Sequence, residues 1–136
     1  MPNFNLGMFK SFILMLALFA LASCRSVEHG DLVSPSGRYQ LSFDINDNRN
    51  DGTKYKCVIL KVYNTHGLLL STFQTGASDY SKWAVGWHPI NDTVILNSSD
   101  IGTYTYMITN AGVLKEIKIT PDLSKLADSI FNQKYK

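Results

Sequence analysis

The stretch 82-KWAVGWHPINDTVILNSS-99 decides the fold, because it holds two alternating apolar runs on either side of a short polar loop. Pairing residues 82–88 with residues 93–99 across the loop at 89–92 sets Trp87 opposite Val94 and Val85 opposite Leu96. One face of the pair then comprises Trp83, Val85, Trp87, Val94 and Leu96. Because two independent alternations agree in one register, the segment predicts an antiparallel hairpin.

Similar patterns surround this hairpin on both sides. Tyr39–Ile45 alternates strictly between apolar and polar residues, which is typical of a half-buried strand. Further strands are predicted at residues 54–63, 68–75, 103–108 and 113–119, with turns at 64–67 and 109–112. The chain is therefore predicted to be mainly β, a single antiparallel meander of about seven strands that closes as a barrel or folds as a sandwich.

The last predicted hairpin has a register of its own. With a four-residue turn at 109–112, Tyr104, Tyr106 and Ile108 share a face with Val113 and Ile117. Glu116 then faces outward with the remaining polar residues of the hairpin.

The period changes to that of a helix at the C-terminus. Thr120 is suited to the N-cap, and Pro121 to the first helical position, where its missing N–H is not needed. One apolar stripe follows at helical spacing and consists of Leu123, Leu126, Ala127, Ile130 and Phe131. A helix is predicted at about 121–134, lying across the sheet or closing one of its ends.

Composition limits the classes of function. The chain has 136 residues, 45% of them hydrophobic, with 13 basic and 11 acidic side chains and a net charge of +2. This length and composition suit one globular domain. The basic residues are dispersed, so no nucleic-acid partner is expected.

The N-terminal segment has the features of a secretory signal. Lys10 is its one basic residue, and the apolar run 11–20 is too short to span a bilayer. The run ends in Leu21-Ala22-Ser23-Cys24, which resembles the lipobox of bacterial lipoproteins. The resemblance implies cleavage before Cys24 and a diacylglyceryl group on its thiol. Translation from Met1 and from Met8 both fit this pattern.

The resemblance divides the chain into three parts. Residues 1–23 form the signal peptide, residues 24–33 a lipidated N-terminus and short tether, and residues 34–136 the β domain. Lipid on Cys24 makes the membrane a partner and places the protein in the bacterial cell envelope. Arg25 stands where an aspartate would retain a lipoprotein in the inner membrane, so the outer membrane is favoured, with the domain facing the periplasm.

Metal and cofactor chemistry finds little support in the sequence. Residues 44–52 are rich in oxygen ligands, but Arg49 falls where a calcium loop needs glycine or a ligand. His29, His66 and His88 show no metal-binding spacing, and Cys57 lies alone in an apolar strand. No metal and no cofactor are expected, and Cys57 is interpreted as a core residue.

Three functions remain open at this point. Asp79, Asp92 and Asp100, with His88, would serve an envelope hydrolase acting on glycan or peptide if the fold brought them together. A small-ligand binder would need a cavity of several hundred Å³. A non-enzymatic protein-binding module, of the accessory, inhibitor or immunity type, needs only a suitable surface.

The sequence favours the protein-binding module, without catalytic residues. Small side chains at Ala84 and Gly86 would let another backbone or ligand approach the strand face opposite the tryptophans. The candidate binding surface extends along that face and comprises Tyr80, Lys82, Ala84, Gly86 and His88.

Overall fold

The computed structural model describes residues 31–136, so Cys24, His29 and the predicted signal peptide lie outside the described residues. The elements are β1 (Leu32–Val33), β2 (Tyr39–Ile45), β3 (Cys57–Asn64), β4 (Leu69–Ser78), β5 (Trp83–Trp87), β6 (Thr93–Ser98), β7 (Gly102–Ile108), β8 (Leu114–Ile117) and α1 (Pro121–Lys134).

The strands form two antiparallel sheets of identical order, β1-β2-β3-β4 and β5-β6-β7-β8. The mainly β class and the single C-terminal helix are confirmed, and the arrangement is a sandwich and not a closed barrel. Eight strands replace the predicted seven. The extra strand, β1, has only two residues and is too short to show alternation.

The turns and loops that connect the strands of both sheets lie at the two ends of the sandwich. We call one end the turn end, which comprises residues 33–39, 64–69, 88–93 and 107–113. The opposite end, called the loop end, comprises residues 46–56, 79–82, 99–101 and 118–120. Ser36 contacts Asp92 between the sheets at the turn end, and the Ser78 amide contacts Asp100 at the loop end.

The inner faces of the two sheets form the core. Leu41, Leu60 and Val62 of the first sheet are fully buried, as are Val94 and Leu96 of the second. Aromatic rings join the layers: the Phe43 and Trp83 centroids are 5.8 Å apart, and those of Phe73 and Tyr106 are 4.9 Å apart. The sandwich is therefore held mainly by apolar burial.

Of the two predicted hairpin registers, one is confirmed and the other is wrong. Trp87 pairs with Val94 and Trp83 with Ser98, which confirms the register of the β5–β6 hairpin. The register of β7–β8 was wrong, because Ile108 pairs with Leu114 and Tyr106 with Glu116.

A three-residue loop explains the shifted register. The Thr109 amide donates to the Val113 carbonyl oxygen at 2.9 Å, so only residues 110–112 form the loop. Gly112 closes it with a φ of +78°. A shift of one residue exchanges the two faces of a strand, so Leu114 is buried while Val113 is exposed.

Helix α1 lies against the outer face of the second sheet and contacts β5, β6 and β7. The Thr120 hydroxyl accepts from the Leu123 amide, which confirms the predicted N-cap. At the other end, the Tyr135 hydroxyl and Lys134 Nζ bond the Trp83 backbone on edge strand β5. No helix within residues 31–136 is long and apolar enough to cross a membrane.

Gly112 provides a direct test of the sheet packing. A Cβ at this position would lie 2.6 Å from two side-chain atoms of Leu70, in addition to the backbone strain of a positive φ. Gly112→Ala should destabilise the domain by about 2–4 kcal/mol, combining overpacking with strain. Chemical denaturation of the purified protein measures this loss.

Gly37→Ala is the matched control, because Gly37 has a φ of +72° with no atom within 4 Å of the added Cβ. We expect a loss of only about 1 kcal/mol there. Equal losses in the two variants would contradict the close packing of the β7–β8 turn on Leu70.

Candidate functional site

The predicted binding surface is partly covered by the protein itself, which corrects the sequence-based interpretation. Ala84 is only 1% exposed, and Gly86 is also buried. A Cβ on Gly86 would lie 3.0 Å from Cδ1 of Ile130, a residue of α1. Small residues in β5 do admit a close neighbour, but that neighbour is the C-terminal helix.

The other three predicted residues do not form one surface. Tyr80 is 83% exposed in the β4–β5 turn and lies at the loop end with Lys82. His88 lies at the turn end, where its Nδ1 accepts from the Ile90 amide at 3.3 Å. Strand β5 separates them, so Tyr80, Lys82 and His88 cannot share a compact binding site.

The first sheet, in contrast, has an outer face on which no element of residues 31–136 packs. We call it the open face. Strand pairing orders its central residues in three rows from the turn end to the loop end: Val33, Gln40, Tyr63 and Leu69; Ser42, Lys61 and Thr72; and Asp44, Ile59 and Gln74. Polar side chains predominate, and Lys61 Nζ bonds Asp44 at 2.8 Å.

A depression of about 380 Å³ lies at the turn-end side of the open face. Asp31, Gln40, Ser42, Tyr63 and Gly67 line it. Gln40 and Tyr63 are direct cross-strand neighbours, which places an amide beside a phenol ring. This arrangement offers hydrogen-bond donors and acceptors around one aromatic surface.

A second depression, of about 210 Å³, lies where the edges of the two sheets meet. Lys54, Phe73, Tyr106 and Glu116 are among the residues that line it. Burial raises the pKa of the Tyr106 hydroxyl, so this group stays protonated at neutral pH. The volume is below the roughly 300 Å³ of ordinary small-molecule sites.

The acidic residues considered for catalysis serve as links between turns. Asp92 accepts from the Ser36 hydroxyl at 2.6 Å and from Arg38 at 3.3 Å, joining the two sheets. Asp100 accepts from the Ser98 hydroxyl and from the Ser78 amide. Both oxygens of each carboxylate accept hydrogen bonds from donors of the same domain.

These contacts set the acidity of both groups. Burial by itself would raise the pKa of Asp92 and of Asp100. The hydrogen bonds from serine hydroxyls and backbone amides, with Arg38 at Asp92, outweigh burial and lower the pKa of both. A lowered pKa is unsuited to a general acid at neutral pH.

The fold also keeps apart the four residues that the alternative hydrolase hypothesis would need. Asp92 and His88 lie at the turn end, whereas Asp79 and Asp100 lie at the loop end. The six residues of β6 separate the ends by about 20 Å. At the loop end, Asp79 accepts from the Trp83 indole N–H at 3.3 Å. The catalytic grouping that a hydrolase would need is not assembled from these residues.

Side-chain oxygens of the loop at 46–56 form hydrogen bonds and an ion pair within the loop and are not grouped around a cation site. The Asn46 side chain donates to Asp51 at 2.9 Å and accepts from the Asn48 amide, while Lys56 pairs with Asp47. Within residues 31–136, no three His, Cys, Asp or Glu side chains are grouped so that they could hold a metal ion. Cys57 is buried, and burial raises the pKa of its thiol.

Comparisons with known proteins supply no relative. No protein-family model, no curated protein and no solved structure matches this chain. The candidate site therefore stands on geometry alone.

Asp92 gives the domain a predictable response to acid. Its pKa is lower in the folded chain than the unfolded value of about 3.9, so its contribution to stability is present above that pH. The contribution is lost as the pH falls through the folded pKa. Asp92→Asn should lower the thermal midpoint at neutral pH and lessen the further fall below about pH 4.

Asp31→Asn, at an exposed position, is the matched control. The thermal midpoints of the parent, Asp92→Asn and Asp31→Asn are measured by circular dichroism from neutral pH into the acid range. Parallel curves for the parent and Asp92→Asn would contradict a structural role for this carboxylate.

Proposed function

We propose that the protein is a lipid-anchored, non-enzymatic binding protein of the bacterial cell envelope, which holds a protein partner on the open face. The observation that carries this proposal is an asymmetry between two equivalent sheets. Both have the same strand order, yet α1 packs on the outer face of the second and leaves the first uncovered. The uncovered face is the broad surface on which a partner can dock.

The chemistry of the open face favours a polar protein segment over a small apolar ligand. Ligand pockets are usually lined mainly by apolar groups. The depression instead presents Asp31, Gln40 and Ser42 around Tyr63. Transient protein interfaces combine such polar groups with aromatic residues. Lys61 and Asp44 neutralise each other at the centre of the open face. The face therefore does not require a partner that carries a strong charge of one sign.

The use of the acids supports a role without catalysis. Asp92 and Asp100 are engaged as links between turns and lie at opposite ends of the domain. No cofactor is assigned in this proposal, and no metal.

The envelope location rests on the sequence resemblance. The lipobox at residues 21–24 supports a lipid on Cys24, and Arg25 favours the outer membrane with the domain in the periplasm. Seven residues, 25–31, connect Cys24 to β1 and reach at most about 25 Å. The domain therefore works close to the bilayer surface.

Site-specific photo-cross-linking in intact cells tests the proposal. A photoreactive phenylalanine analogue at Tyr63 should give a discrete adduct with one protein. The same analogue at Lys125, on the exposed side of α1, should give none. Adding Ser42→Arg should reduce the Tyr63 adduct severalfold, because a long charged side chain then fills the depression.

The thermal midpoint of Ser42→Arg shows whether the variant remains folded. Equal adducts from positions 63 and 125, or an adduct at 63 that Ser42→Arg leaves unchanged in a folded protein, would overturn the assignment of the open face. An adduct of twice the mass of the chain would identify self-association in place of a different partner.

A further inference from the structure

The exposed apolar side chains are concentrated at the turn end. Residues 31–136 contain nine large hydrophobic residues with exposed side chains, and six of them lie there. The six are Val33 (64% exposed), Leu68 (62%), Leu69 (46%), Ile90 (82%), Met107 (44%) and Val113 (47%). They come from all four turns, so the apolar character belongs to the whole end and not to one loop.

Charge shows the opposite distribution. The turn end contains two charged side chains, Arg38 and Asp92, and these pair with each other at 3.3 Å. The loop end, with fewer residues, contains nine charged side chains. One end of the domain thus exposes apolar side chains and is electrically balanced, while the other is strongly charged.

The chain enters the first sheet nearer to the turn end than to the loop end. Leu32 pairs with Leu41 in β2, only two residues from the first residue of that strand at the turn end. The Leu32 carbonyl oxygen accepts from the Trp87 indole N–H at 2.9 Å, which fixes the entry point against the second sheet. The connection from Cys24 to this point spans seven residues, 25–31.

We infer that the turn end lies against the lipid bilayer, with the side chains of Leu68, Ile90 and Val113 at the boundary between headgroups and acyl chains. The inference rests on the proposed lipid on Cys24. A single lipid tether of this length restrains the distance of the domain from the membrane but not its orientation. Apolar side chains at the turns supply the second contact, which sets the orientation.

Arg38 fits this arrangement. Its side chain is 71% exposed while it contacts Asp92, whose side chain is only 12% exposed. The carboxylate is thus screened, whereas the guanidinium keeps free N–H groups that can donate to lipid phosphates. With the turn end on the bilayer, the open face stands upright, and its two rows farther from the turn end, those of Ser42 and Asp44, stay accessible to a partner.

Depth-dependent fluorescence quenching tests the orientation. The full-length lipidated protein is reconstituted in phosphatidylethanolamine–phosphatidylglycerol vesicles that contain nitroxide-labelled lipid. An environment-sensitive fluorophore is attached to Ile90→Cys at the turn end, and to Asn50→Cys at the loop end as the matched control. Native Cys57 is 6% exposed, so the parent protein serves as the labelling blank.

The probe at position 90 should shift to shorter wavelength on reconstitution and be quenched at least about twofold more strongly than the probe at position 50. Adding Leu68→Glu and Val113→Glu should bring the two probes to similar quenching while the protein stays on the vesicles. Equal quenching at positions 90 and 50 without these changes, or stronger quenching at 50, would overturn the inferred orientation.

Mass spectrometry of the N-terminal peptide and vesicle flotation test the lipid on Cys24 independently of the orientation of the domain. Lipid on Cys24 with equal quenching would leave the anchor in place and remove only the orientation. A Cys24 peptide without lipid, from a protein that does not float with vesicles, would overturn the anchor and the orientation together.

Discussion

Burial of the two inner sheet faces against each other is the interaction on which the remaining structure depends. A four-stranded sheet with one apolar face cannot leave that face in water, and each sheet here provides the cover for the other. Leu60 and Leu96 are fully buried between the layers. Because both sheets direct their apolar faces inward, only their outer faces, edges and ends remain to meet other molecules.

The outer faces then have different surroundings. On the second sheet, Ala84 and Gly86 leave room for Ile130 of α1. Thr105 is buried on the same face, and its hydroxyl donates to the Ile117 carbonyl oxygen at 3.1 Å. The first sheet has Lys61 and Tyr63 at its centre instead, and these large polar side chains are compatible with water. The helix therefore has one sheet it can pack on, and the other remains open.

The two ends of the sandwich differ in the same way. Asp92 and Arg38 neutralise each other at the turn end, where apolar side chains from four turns are exposed. Lysine and carboxylate side chains are concentrated at the loop end. With the proposed lipid on Cys24 and its short tether, a domain with this polarity would turn one end to the membrane and the other to the periplasm.

The elements could be predicted from sequence where a local pattern determines them. The alternation around Trp87 fixes its hairpin, and Thr120 with Pro121 fixes the start of α1. The β7–β8 register could not be read in this way, because a three-residue loop and a four-residue turn suit the same residues until Gly112 is placed at positive φ. That one-residue difference reverses the faces of β8.

The candidate site shows the same limit. Gly86 correctly indicates a close approach, but local alternation cannot say that Ile130, 44 positions later, is the approaching group. The open face gave no signal of its own, since polar residues on alternate strand positions are typical of any solvated sheet. The identical order of the two sheets was equally hidden, because it resides in hydrogen-bond pairing and not in repeated residues.

Cysteine accessibility in the folded, full-length protein tests most directly the claim that one sheet face is open and the other covered. Ser42→Cys lies on the open face and Ala84→Cys beneath α1. We predict that a water-soluble maleimide labels Ser42→Cys readily, whereas Ala84→Cys reacts only after denaturation. Labelling of both variants at the same rate in the native protein would contradict the account.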